Sequence, residues 1–165
     1  MKKLVLIVGL LFVGVAFSQS EAFSNENTPT QDITFKNGLY FQKDVAYTGK
    51  YIVYYGNGSV KEELNIKNGQ LNGDVLKYFE NGTKKEVCHF ENNLKFGLWA
   101  RYNSNGTLAA EASYKNDKKD GTWMVYNENG VKLFKMEYKE GEKTGTWTQW
   151  DEKGEVLKTT TYSNL

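Results

Sequence analysis

His89 is the single histidine and Cys88 the single cysteine of this 165-residue chain, and they are neighbours. A nucleophilic triad needs a nucleophile, a base and a third group that orients the base. A zinc site needs three or four His, Cys or carboxylate ligands. One adjacent His/Cys pair supplies neither, and a lone thiol also excludes an internal disulfide. Glu62 and Glu63 are the closest approach to a catalytic carboxylate pair. On an extended backbone, adjacent side chains point to opposite faces, so these two do not converge as an acid and a base. No phosphate-cradling glycine loop, EF-hand loop or Cys/His ligand spacing occurs along the sequence. The chain is expected to be neither an enzyme nor the holder of a cofactor or metal.

What the chain has in abundance is periodicity. Gly49, Gly73, Gly97, Gly121 and Gly145 stand 24 residues apart, and so do Gly58, Gly82, Gly106, Gly130 and Gly154. Three further series share the period: Tyr51, Val75, Trp99, Trp123 and Trp147; Tyr54, Tyr78, Tyr102, Tyr126 and Trp150; and Ile66, Phe90, Tyr114, Tyr138 and Tyr162. The second glycine series follows asparagine four times and Lys153 once. Asn-Gly is the strongest short-range hairpin signal, and a type I′ turn with φ > 0 at both central residues is expected there. Between repeats stand Asn68-Gly69, Asn92-Asn93, Asn116-Asp117 and Glu140-Gly141, most of which also tolerate a left-handed backbone. Each unit therefore holds two turns and two short strands. Its second strand alternates: Leu64, Ile66, Cys88, Phe90, Ala112, Tyr114, Met136 and Tyr138 share one parity, with Asn65, His89, Ser113 and Glu137 on the other.

The fold class is all-β: an elongated array of antiparallel hairpins in one open sheet, with repeats beginning near Gly49, Gly73, Gly97, Gly121 and Gly145. Phe35-Lys36-Asn37-Gly38 resembles the end of a repeat, so the array is expected to start with a capping half-repeat carrying an insertion at Leu39–Thr48. The repeat domain spans 33–165. In this register Cys88 is a small core residue and His89 a solvated one. Ile52, Leu76, Ala100 and Met124, together with Tyr54, Tyr78, Tyr102 and Tyr126, form the natural core of the first strands. The opposite stripe is either a second packing ladder or an exposed aromatic surface, in which case Tyr51, Trp99, Trp123 and Trp147 are the candidate binding residues.

The N-terminus places Lys2 and Lys3 ahead of an apolar run from Leu4 to Phe17, too short for a membrane-spanning helix and suited to a secretory leader cleaved after Ser18. Residues 19–32, with Pro29, the only proline, are polar and aperiodic and read as a linker. Losing Lys2 and Lys3 leaves 19 basic against 20 acidic residues, a net charge of −1 without blocks of one sign. Nucleic acid, which requires a concentrated basic face, is not the expected partner.

Segments such as NGQLNGDVLKYFENGTKKEV and NDKKDGTWMVYNENGVKLFKMEY resemble the bacterial variant of the MORN repeat. The opening GLYFQKDVAYTGKYIVYYGNG is similar to the start of proteins in the group labelled YwqK-family antitoxins. The sequence departs from the pattern at Val75, where an aromatic is usual, and at Asn93 and Asp117, where glycine is. The resemblance implies open hairpin arrays that serve protein–protein or membrane-associated interaction, and its label implies neutralising a toxin. With the leader, the leading expectation is an exported binding or scaffold protein of the periplasm, cell surface or exterior. An antitoxin and a carbohydrate-binding module are the alternatives.

Overall fold

The computed structural model describes residues 32–163. The leader at 1–18 and nearly all of the linker at 19–32 lie outside the described residues. Two sheets are formed. A small one contains β1 (Ile33–Lys36), β2 (Leu39–Gln42) and β3 (Val45–Ala46). The large one is an antiparallel meander of eleven strands. It runs through β4 (Gly49–Tyr54), β5 (Val60–Lys67), β6 (Gln70–Tyr78), β7 (Lys84–Glu91), β8 (Leu94–Lys95), β9 (Gly97–Tyr102) and β10 (Leu108–Lys115). It continues through β11 (Lys118–Tyr126), β12 (Lys132–Lys139), β13 (Glu142–Trp150) and β14 (Val156–Tyr162). Within each sheet consecutive strands pair, except that β8 and β9 both lie along β7.

The two turn series differ, and the type I′ geometry falls on the other one. At Asn57-Gly58 only the glycine has positive φ (85°), and so it is at Gly82, Gly106, Gly130 and Gly154. There the Gly58 N–H donates to the Tyr55 carbonyl and the Asn57 side chain accepts from the Ser59 N–H. This is a type I turn closed by a left-handed glycine. Lys153-Gly154 works as well as Asn-Gly because only one residue must be left-handed. Between repeats both central residues are left-handed: Asn68 (50°) and Gly69 (79°), Asn92 (50°) and Asn93 (68°), Asn116 (49°) and Asp117 (65°), Glu140 (51°) and Gly141 (96°).

These second turns stack into a ladder of their own. The N–H of Gly69, Asn93, Asp117 and Gly141 donates to the carbonyl of Tyr47, Leu71, Lys95 and Lys119, one repeat earlier. Asn93 and Asp117, standing where glycine is usual, return a bond: their side-chain oxygens accept the Leu71 and Lys95 N–H at 2.7 and 2.8 Å. Asn93 also donates to the Gly38 carbonyl at 3.0 Å, tying the first turn to the turn that ends the second repeat. Asn93→Gly keeps the backbone geometry and removes both bonds. It is expected to cost about 1 kcal/mol, read as a lower urea midpoint with an unchanged slope.

One face of the large sheet is apolar. Register places Tyr51 opposite Leu64, Val75 opposite Cys88, Trp99 opposite Ala112 and Trp123 opposite Met136. The tryptophan stripe and the alternating second-strand residues therefore share the inner face. Ile52, Leu76, Ala100, Met124 and the row from Tyr54 to Tyr126 lie on the other face, partly exposed. This corrects the expected assignment of the core. A flat single sheet would leave both faces wet, yet Val75, Cys88 and Trp99 are only 2–3% exposed. Neighbouring side chains of the same face cover them. Bulges interrupt the pairing, and an extra residue bends its strand and increases local twist. Register shifts recur where strands meet the Asn-Gly turns, as between Val53 and Tyr54 and between Val125 and Tyr126. A second set recurs between repeats, where the shifts between Leu64 and Ile66 and between Ala112 and Tyr114 set Asn65 and Ser113 each against three residues.

The stretch at Leu39–Thr48 is a hairpin, not a loose insertion. Lys43 and Asp44 turn the chain with φ of 49° and 63°. Tyr40, on β2, is 5% exposed; its N–H donates to the Gly69 carbonyl, and its ring meets Phe35 and Tyr51. The small sheet thus closes the N-terminal end of the core, as terminal elements of repeat arrays must.

Candidate functional site: two faces of the repeat sheet

On the inner face, rings alternate across strands in one unbroken run. Phe90, Trp99, Tyr114, Trp123, Tyr138, Trp147 and Tyr162 follow each other with centroids 4.9–5.4 Å apart, tilted or edge-on. Such geometry matches the aromatic quadrupole and adds to the burial itself. In the second to fifth repeats glycine lies directly opposite the second-strand ring, as Gly121 opposite Tyr138, which leaves the ring room to lie over the backbone.

Tryptophan is required for a polar reason as well. At the breaks between repeats the ladder shifts. The indole N–H groups of Trp99, Trp123 and Trp147 donate there to the carbonyls of His89, Ser113 and Glu137 at 3.0, 3.1 and 3.0 Å. Phenylalanine could fill the space but not make the bond. In the second repeat Val75 has no such group, and the Asn65 amide instead donates to the Asp74 carbonyl at 2.7 Å.

Of the four residues expected as a binding surface, Trp99 and Trp123 are 3% and 5% exposed. Tyr51 and Trp147 pack half-buried against the same cluster. They hold the fold together and do not form an exposed platform. Lysines close this ladder: Lys95 Nζ lies 5.0 Å over Trp99, Lys119 Nζ 4.2 Å over Trp123, and Lys143 Nζ 4.8 Å over Trp147.

The outer face carries the row that sequence reasoning placed inside. That row is Tyr54, Tyr78, Tyr102 and Tyr126, one per repeat and at least partly exposed, and Trp150 continues it in the fifth repeat. Tyr78 donates its phenolic proton to Glu63 at 2.8 Å, and Tyr126 donates to Glu111 at 2.9 Å. Burial and then the bond to Glu111 push the Tyr126 hydroxyl up to about 12. The hydrogen bond from Lys50, then that from Tyr78, holds the Glu63 carboxyl below its ordinary value. Burial, then the charge of Glu62 on the neighbouring strand position, raises the hydroxyls of the inner-face residues Tyr40 and Tyr51. The adjacent carboxylates are thus separated by the sheet.

His89 is partly exposed on the outer face, its Nδ1 2.8 Å from Asp74 Oδ1. The pair is assembled without a nucleophile beside it among the hydrogen-bonded residues. Among the described residues no group of three His, Cys, Asp or Glu side chains could hold a metal ion. Cys88 is 2% exposed. Burial, then the charge of Glu86, pushes its thiol up to about 12, far from the thiolate that reacts. In native buffer at pH 8, Cys88 is expected to resist a thiol reagent and to react fully once urea unfolds the sheet. Immediate labelling of the native protein would contradict this burial.

A search of curated proteins finds no match. The MORN repeat variant matches five segments, residues 47–68, 71–92, 97–116, 119–140 and 143–164. Each segment is one hairpin-containing unit of the sheet, and together they cover most of the chain. The chain belongs to the MORN repeat variant family.

Proposed function

We propose that this protein is an exported, non-catalytic binding module that presents the outer face of its sheet to a protein partner at the cell envelope or outside the cell. MORN repeats serve in binding and scaffolding, and the repeat sheet has surface to offer in place of a reaction centre. The observation that carries the reading is the outer aromatic row. Tyr54, Tyr78, Tyr102, Tyr126 and Trp150 recur at every repeat although the core lies on the opposite face. Rigid, amphipathic rings of this kind concentrate binding energy at protein interfaces, because two torsions cost little entropy when fixed. Glu63 and Glu111, hydrogen-bonded to their tyrosines, give the row fixed polar points. The apolar run at Leu4–Phe17 behind Lys2 and Lys3 supports export.

The test combines location with contact. Fractionation of the native host should recover a chain beginning near Gln19 outside the cytoplasm. A photo-crosslinker at Tyr102 or Tyr126 should capture one discrete protein there, and one at inner-face Trp123 should not. Recovery of the uncut chain in the cytoplasm would defeat the export reading and favour the toxin-neutralising role that the family resemblance implies. Equal crosslinking from both faces would defeat the outer-face reading.

A further inference from the structure

The inner face is electrically lopsided. In its N-terminal half, charges alternate and are matched: Glu62 lies opposite Lys77, Lys77 opposite Glu86 and Glu86 opposite Arg101, with Lys77 and Glu86 3.3 Å apart. Beyond β7 the same face carries Lys95, Lys119, Lys143 and Lys158, while Glu111, Glu137 and Glu142 lie on the outer face and Asp120 is taken up by the Glu140 N–H and the Lys139 ammonium. Lys95, Lys119 and Lys143 occupy one position per repeat, opposite Phe90, Tyr114 and Tyr138. Their counterparts in the first two repeats are Tyr47 and the buried Leu71. Each ammonium lies over two rings, Lys119 at 4.2 and 4.6 Å from the centroids of Trp123 and Tyr138. None of the three has a carboxylate within ion-pair distance among the described residues. Burial, then the charge of Lys143, lowers the pKa of Lys119. Lys95 and Lys119 are partly buried and Lys143 is exposed; like charges held this close without counter-ions carry a cost that a bound anion would relieve.

We propose that Lys95, Lys119 and Lys143 form a rail for a linear acidic polysaccharide carrying one carboxylate per disaccharide. Successive ammoniums stand two strands apart, about 10 Å, close to the length of a disaccharide. Lysine presents a compact point charge and lacks the planar fork that selects phosphate or bidentate carboxylate. At the C-terminal end the rail runs beside half-buried Trp147 and Tyr162, with Thr160 opposite Trp147 and Gln149 opposite Lys158. Half-buried rings capped by Lys143, next to hydroxyl and amide groups, give the mixed apolar and polar border that suits the C–H groups and hydroxyls of sugar rings. An acidic peptide would use the charges but not this mixed surface. The rail belongs to the inner face and is independent of the outer-face reading above.

The probe is an unsulfated hyaluronate decasaccharide, titrated against the chain from Gln19 onward and followed by tryptophan emission and calorimetry. Saturable binding that weakens with salt is expected. In K95M/K119M/K143M, methionine keeps an unbranched stem over the rings, and affinity should fall at least about tenfold with a shallower salt dependence. K67M/K115M/K118M removes the same charge from exposed positions and should bind as the parent does. Undetectable binding of the parent, or equal loss in both triple variants, would overturn the rail. Tighter binding of polyglutamate or of phosphatidylglycerol vesicles would overturn the polysaccharide assignment. Urea midpoints of both variants show that a loss is not unfolding, and crosslinking at Tyr102 that survives in K95M/K119M/K143M separates this result from the outer-face function.

Discussion

Trp123→Ala is expected to destabilise the protein by about 3–5 kcal/mol, the largest single-residue effect in the sheet. The ring lies between Tyr114 and Tyr138 at 5.2 and 5.4 Å, is 5% exposed, and carries Lys119 on its face. Truncation opens a void that its neighbours, fixed to a hydrogen-bonded sheet, cannot close. It also strands the Ser113 carbonyl, which accepts the indole proton at 3.1 Å. Trp123→Phe separates the two contributions: the ring stays, the bond goes, and the loss should be about 1–3 kcal/mol. Because each repeat rests on its neighbours, the damage should concentrate around β10–β13, visible as faster amide exchange there while β4–β6 stay protected. Trp99→Ala combined with Trp123→Ala should depart from additivity, since both rings pack on Tyr114. An unchanged urea midpoint for Trp123→Ala would mean that the ring is a surface platform after all.

The contrast with the expected binding stripe shows how far the residues alone can reach. The period, the hairpins, the strand lengths and the open sheet were legible because turn residues declare themselves locally. Gly106 and Asn116-Asp117 need no distant information to mark a reversal. Cys88 and His89 were legible for the same reason, since the repeat register gives each the environment of its counterparts. The choice of inner face was not. Both faces of the first strand carry an aromatic, Trp123 on one and Tyr126 on the other, and alternation cannot rank them. That choice depends on pairing: Trp123 lies opposite Met136, so the second strand's apolar parity selects the tryptophan side. The signal is present, since Leu64, Cys88, Ala112 and Met136 share one parity, but only the register joins them to the first strand. Turn type was hidden for a related reason. Asn-Gly is compatible with one left-handed residue or two, and strand pairing across the bulge decides.

Asn93 and Asp117 illustrate the opposite case, in which an apparent departure from the repeat is a stronger version of it. Each keeps the left-handed backbone that glycine would give and adds a side-chain acceptor for the repeat before. The strain of φ near 65° in these residues is small, because short polar side chains tolerate that region. Local cost is offset by a bond across repeats, so these turns fasten units together as well as reverse the chain.

Gly121→Val and Gly106→Val place the same side chain at two left-handed glycines and are expected to differ. Gly106 has φ of 86° at an open turn, and a Cβ there would meet nothing within 4 Å. Strain alone should cost about 1–2 kcal/mol. Gly121 has φ of 105° at the break between repeats, and its Cβ would lie 3.0 Å from the Ser113 Cβ. Ser113 is a short side chain on a paired strand, so relief requires the backbone of β10 or β11 to move. That movement would pull the Ser113 carbonyl from Trp123 and the ring of Tyr138 from its place opposite the glycine. Strain, overlap and the lost bond together should cost about 3 kcal/mol or more. Denaturation midpoints of the two variants, measured side by side, test this directly. Equal losses would show that the break between repeats yields as easily as an open turn, and that the register there is not held by the close approach of Gly121 to Ser113.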